Sequence, residues 1–147
     1  MNMRERITGD IARVGFTTIA VPSLGGDFAY TVGFTELGHP EIFISGLRLE
    51  NCHGLLWAIF LRVKAGETFV AGQTDTSIGN FPVGFRYLPE SAAKDFCCQA
   101  LFHYEDSDKT PTFLQMVIPD NHGLLPWDEG YGYAFMRAQR HLWVDLN

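Results

Sequence analysis

The stretch from residue 15 to 47 constrains the fold more than any other part of this chain. Gly-Phe-Thr-Thr-Ile-Ala-Val, Phe-Ala-Tyr-Thr-Val-Gly-Phe and Gly-His-Pro-Glu-Ile-Phe-Ile-Ser-Gly-Leu follow one another with only short connections. They read as three strands in succession, at 14–21, 28–34 and 41–45. In the middle strand Phe28, Tyr30, Val32 and Phe34 alternate with Ala29, Thr31 and Gly33. All the bulk therefore points one way and the opposite face is nearly bare. A bare strand face has something lying close against it, either a packed element or a ligand. Both occupants fit the pattern.

The turn at 22–27, with Pro22, Gly25 and Gly26, makes the first two strands an antiparallel hairpin. A helix follows at 49–65, where Cys52, Leu55, Leu56, Ile59, Phe60 and Val63 form one apolar stripe and Gly66 supplies the stop. Residues 7–14 read as a short helix or lead-in. A short strand is expected at 67–71, a polar loop at 72–80 and another strand through Val83, Phe85 and Tyr87. Pro89 opens a second helix whose stripe is Ala93, Phe96, Cys97, Ala100, Leu101 and Tyr104. The run 112–118 is apolar on both faces except at Gln115, the mark of a central strand. A short helix is expected at 133–144. The fold class is therefore α+β: a curved, mainly antiparallel, split-barrel-like sheet of five to seven strands with two principal helices. Without repeats or linkers, residues 1–147 are expected to form a single domain.

Composition narrows the function classes. The net charge of -6 and the scattering of eleven basic residues argue against a nucleic-acid phosphate footprint. Residues 1–10 are polar and charged, with no secretory apolar segment, and no apolar run has the length of a membrane span. Cys52, Cys97 and Cys98 are odd in number and two are adjacent, so a disulfide framework is not expected and a reduced, cytoplasmic setting is. Twelve Phe residues point to an aromatic core or an aromatic-walled cleft.

The motifs at 28–34 and 38–41, together with Leu-Gln-Met-Val-Ile-Pro-Asp and Pro-Trp-Asp within 114–128, resemble the bacterial family catalogued as domain of unknown function 4262. That resemblance covers most of the chain and carries no activity. The order of elements is also similar to that of flavin-binding split barrels, a likeness of architecture alone. It implies flavin contacts around residues 31–35, although no flavin fingerprint is present and Arg48 is the nearest basic residue for a phosphate.

Two polar segments carry candidate chemistry. At 35–41 His39 sits between Glu36 and Glu41, an arrangement suited to general acid/base work and more often met in a solvated turn whose His holds a backbone carbonyl. After the 112–118 strand come Asp120, His122 and Asp128, which with His39 and Glu41 present metal-type ligands but none of the spacings that mark a metal site, so none is assigned. Asp and Asn after Pro119 also make ordinary turns. Cys97 lies on a helix stripe and reads as inert. Gln115, as a polar side chain in an apolar strand, must be hydrogen-bonded, to a loop or to a ligand.

The expected function is small-molecule binding in a cleft bounded by the second strand, the His39 turn and the 120–127 segment. Tyr30, Thr31, Gly33, Gln115 and Trp127 would line it, and His39, Glu41, Asp120 and His122 are the catalytic candidates if the protein is an enzyme. The alternative is a non-catalytic interaction protein, for instance one neutralising a basic partner, acting on another protein or as a homodimer.

Overall fold

A computed structural model describes residues 2–132 and 139–146. Helix α1 (Met3–Arg13) starts at Asn2, whose side chain accepts the Glu5 N–H at 2.8 Å. Strands β1 (Thr17–Val21) and β2 (Phe28–Val32) form the expected hairpin. A 3-10 turn at Phe34–Leu37 leads into β3 (Glu41–Ser45). Then come α2 (Leu49–Lys64), the two-residue β4 (Thr74–Asp75), β5 (Val83–Leu88), α3 (Glu90–Phe96), α4 (Cys98–Tyr104) and β6 (Phe113–Val117).

Among the described residues the strands form one six-stranded sheet in the order β1-β2-β3-β6-β5-β4, in which only the β3–β6 pair is parallel. The sheet is open and does not close into a barrel, so the architecture is α+β without the split-barrel closure. As its apolar character on both faces, broken only at Gln115, predicts, β6 is central. Helix α2 covers one face, packing Leu56, Ile59 and Phe60 onto Ala29, Ile42, Ile44 and Met116. Helices α1, α3 and α4 cover the other, where Ile7, Ala93, Cys97 and Ala100 meet Tyr30, Phe43 and Phe113.

The bare face of β2 thus has a packed element against it. Ala29 belongs to the core under α2. At Gly33, φ is +127°, and a Cβ there would lie 2.7 Å from both the Gly15 carbonyl oxygen and the Phe16 Cα. The missing side chains are what let the chain before β1 and helix α2 approach so closely.

Three expected elements differ. Residues 67–71 form no strand, because the Phe69 N–H is taken by the His39 side chain and its ring packs on Phe85. The ladder partner of β5 is instead the polar 72–75 stretch, through Gly72 N to Phe85 O and Phe85 N to Gln73 O. The second long helix breaks at Cys97 (φ -119°, ψ 40°) into α3 and α4, which leaves the Gln99 N–H available to donate to the buried Tyr30 hydroxyl at 3.0 Å. Of the helix expected at 133–144, residues 133–138 lie outside the described residues, and 139–144 are irregular.

Candidate functional site

The His39 turn is built around a buried carboxylate. Glu41 is fully buried, and its side chain accepts hydrogen bonds from the Thr31 and Thr35 hydroxyls and from the backbone N–H groups of Gly33, Phe34 and Thr35. Those N–H groups start the 3-10 turn and lack backbone partners within it. Burial pushes the carboxyl pKa up, and the bonds from Thr35, Thr31 and the backbone pull against that rise. The backbone that the flavin likeness would aim at a phosphate is therefore aimed at Glu41. His39 is also buried, with Nδ1 2.7 Å from the Pro40 carbonyl and Nε2 accepting the Phe69 N–H at 2.9 Å. These bonds require the neutral tautomer protonated at Nδ1. Burial lowers the imidazole pKa accordingly, while the Pro40 carbonyl opposes it. Both ring nitrogens are occupied by backbone.

Asp120 does comparable work at the other end of the sheet. Its Oδ1 accepts from His122 N and Leu124 N and its Oδ2 from Gly132 N, and these bonds hold its carboxyl below the usual range. His122 is exposed. Because β3 and β6 run parallel, His39 precedes one while Asp120 follows the other. The four residue steps from Glu41 to Ser45 alone separate the two loops by roughly 13 Å. They do not bound one cleft. Tyr30 and Thr31 are likewise committed, to Gln99 N and to Glu41 and Ile42 N. Among the described residues, no three His, Cys, Asp or Glu side chains converge as a metal site would require.

The structure does bring Gln115 and Trp127 together, through a residue the sequence reading passed over. Arg86 is the cross-strand partner of Gln115 and lies on the same sheet face. Its guanidinium sits 3.5 Å from the Trp127 ring centroid. The Cζ2–Cη2 edge of the indole comes up against Gly84, where any Cβ would collide with it. The alternation in β5 reads as an ordinary strand, so an Arg at its inward position was the available signal.

A concavity of about 580 Å³ lies elsewhere, between α1, the outer edge of β1 and the start of α2. Arg6 reaches from α1 to the Thr18 carbonyl at 2.9 Å, and Thr17 donates to Asp10 at 2.8 Å, stitching the helix to the edge strand. The Thr17 hydroxyl bond and the neighbouring Arg13 hold the Asp10 carboxyl low. From α2, His53 Nδ1 stands 3.1 Å from the Thr18 hydroxyl. Phe16, stacked on Phe60 at 4.3 Å, and the half-exposed Trp57 form an aromatic wall. An imidazole beside a hydroxyl can exchange a proton, but among the described residues nothing hydrogen-bonds the other His53 nitrogen to orient it. The groups this concavity presents are aromatic rings, a hydroxyl, an imidazole and a guanidinium. Arg6, Thr18, His53 and Trp57 look in sequence like solvated helix positions and an ordinary strand, which is why they were missed.

Fold and sites together define an α+β protein with an open mixed sheet flanked by helices on both faces. The chain belongs to the family described as "Domain of unknown function (DUF4262)", whose model matches residues 10–132. No curated protein and no solved structure matches it. The likeness to flavin-binding split barrels is not supported.

Proposed function

We propose that this protein binds a small molecule in the groove between α1, β1 and α2. The observation that carries the reading is the groove itself: a volume near 580 Å³ lined together by the Phe16 and Trp57 rings, the Thr18–His53 pair and Arg6. Pockets of this size, with apolar walls and a few convergent polar groups, suit metabolite-sized ligands. A ligand ring stacked on Trp57, with polar atoms toward Thr18 and His53, satisfies both halves. The three cysteines form no disulfide, which supports a reducing, cytoplasmic setting.

A thermal-shift screen of metabolites, flavins and divalent cations tests this directly. At least one compound should raise the Tm of the wild-type protein, and Trp57→Ala and His53→Ala should fold normally while losing that shift. The reading fails if no compound shifts the wild type, or if the shift survives both substitutions.

A second reading rests on Trp57 and Leu61, exposed by 41% and 50% and one turn apart on α2 beside the same edge. Such a pair also suits a protein partner or a second copy of the chain. Size-exclusion chromatography with light scattering of wild type and Leu61→Asp separates the readings. Loss of an assembly in the variant, with no ligand found, favours the partner.

A further inference from the structure

Arg86 is only 6% exposed, yet among the described residues no carboxylate lies within ion-pair distance of it. Its recorded hydrogen bond is to the adjacent Phe85 carbonyl, at 3.0 Å. The Trp127 ring covers one flat side of the guanidinium, but stacking engages none of its in-plane N–H donors, and apart from the bond to Phe85 those donors have no acceptor among the described residues. Burial lowers the pKa, and among the described residues Asp145 is the charge that opposes it. That carboxylate already accepts the Trp143 indole N–H at 2.9 Å and faces His141 at 3.5 Å. A buried guanidinium without an anion is rare because its desolvation goes uncompensated.

The next residue across the ladder has the complementary defect. Gln115 is fully buried, and its Nε2 donates to the Arg140 carbonyl at 2.6 Å, which fixes how the amide is turned. Among the described residues its Oε1 then has no donor. A buried acceptor left bare is destabilising in general, so two such groups side by side call for a common explanation.

We infer that Arg86 and Gln115 form a second ligand site, closed by Trp127, for a small carboxylic acid with a hydroxyl or ammonium group on the adjacent carbon. The planar carboxylate takes the guanidinium fork, and the neighbouring O–H or N–H donates to Gln115 Oε1. Trp127 is suited to opening. It is 36% exposed, sits in a turn closed within itself by Asp128 N to Leu125 O and Leu125 N to Asp128 Oδ2, and its indole N–H donates to no described residue. Lifting the ring off Gly84 and Arg86 breaks no hydrogen bond of the indole. The site is four strands from the α1–β1–α2 groove, roughly 19 Å across the sheet. It therefore stands or falls independently of the function proposed above.

The test is an NMR titration following the indole N–H resonances of Trp57, Trp127 and Trp143, with glycolate and acetate as probes. The two share a carboxylate and differ by the one hydroxyl donor. Glycolate should move the Trp127 resonance saturably in the millimolar range, leave Trp57 in place and bind about tenfold more tightly than acetate. Gln115→Met should bring the two probes to parity, and Arg86→Lys should weaken both by about tenfold or more. The wild-type comparison alone decides the matter if either variant fails to fold. No Trp127 shift by about 50 mM glycolate, equal shifts at Trp57 and Trp127, or equal affinity for the two probes in the wild type would each overturn the proposal.

Discussion

Glu41 shows how a residue suited to catalysis can be spent wholly on structure. Five donors point at its carboxylate, three of them backbone N–H groups of a turn that has no other partner for them. Glu41→Ala would strand those donors in the core, with a loss on the order of 3 kcal/mol or more. Glu41→Gln, which keeps the shape but turns an NH2 toward donors, should fall between. Urea unfolding of the three proteins measures this, and an alanine variant within about 1 kcal/mol of wild type would contradict it. A His39 bonded to a backbone carbonyl was among the readings the sequence allowed, but a Glu41 buried against backbone N–H groups was not. His39 and Glu41 look alike whether they face a substrate or the chain's own N–H groups, since the groups that claim them are backbone atoms of residues 33–35 and 69. Arg86 shows the converse: one charged residue in a strand pattern says nothing of its burial until its neighbours are known.

Elements were read best where periodicity was strong and local. Strands β3 and β5 and helix α2 fall where alternation and the apolar stripe place them, because a one-sided surface of that length has few other ways to be buried. The break at Cys97 and the short β4 depend on distant partners, the Tyr30 hydroxyl and the edge of β5, which no local pattern encodes. Strand β4 is held to α2 chiefly by charge. Arg62 Nη1 and Nη2 bond Asp75 Oδ1 and Oδ2 at 3.1 and 2.8 Å, and Arg62 also pairs with Glu67. The Arg62 bonds draw the Asp75 pKa from 3.8 down to about 2. A depressed carboxyl pKa adds stability that is present above the unfolded value and is lost as pH falls through the folded one. The window here is therefore from about pH 4 to about pH 2. Solvent screening reduces the contribution to about 1 kcal/mol. The stability gap between wild type and Asp75→Asn, measured by denaturant unfolding, should be open at pH 6 and nearly closed at pH 2. A gap that is unchanged or wider at pH 2 would refute this assignment.

At the scale of the whole molecule, one long-range pairing decides where any site can be. Short connections make β1, β2 and β3 antiparallel neighbours, and that much follows from chain order. That β6 returns beside β3, parallel to it, does not, because residues 46–112 intervene and no local signal sets the partner. That pairing sends the His39 turn and the Asp120 loop to opposite ends of the sheet, each closed on its own backbone partners. The separation has a thermodynamic signature. Substitutions at distant sites with no shared partner add, whereas residues of one pocket or one hydrogen-bond network couple. His39→Ala removes the acceptor of the Phe69 N–H, and Asp120→Ala removes the acceptor of three loop N–H groups at the far end. Each variant should lose stability, and the double variant should lose the sum of the two in a double-mutant cycle read by urea unfolding. A coupling energy clearly outside measurement error would bring the two loops back into one network and reopen the shared cleft that this topology divides.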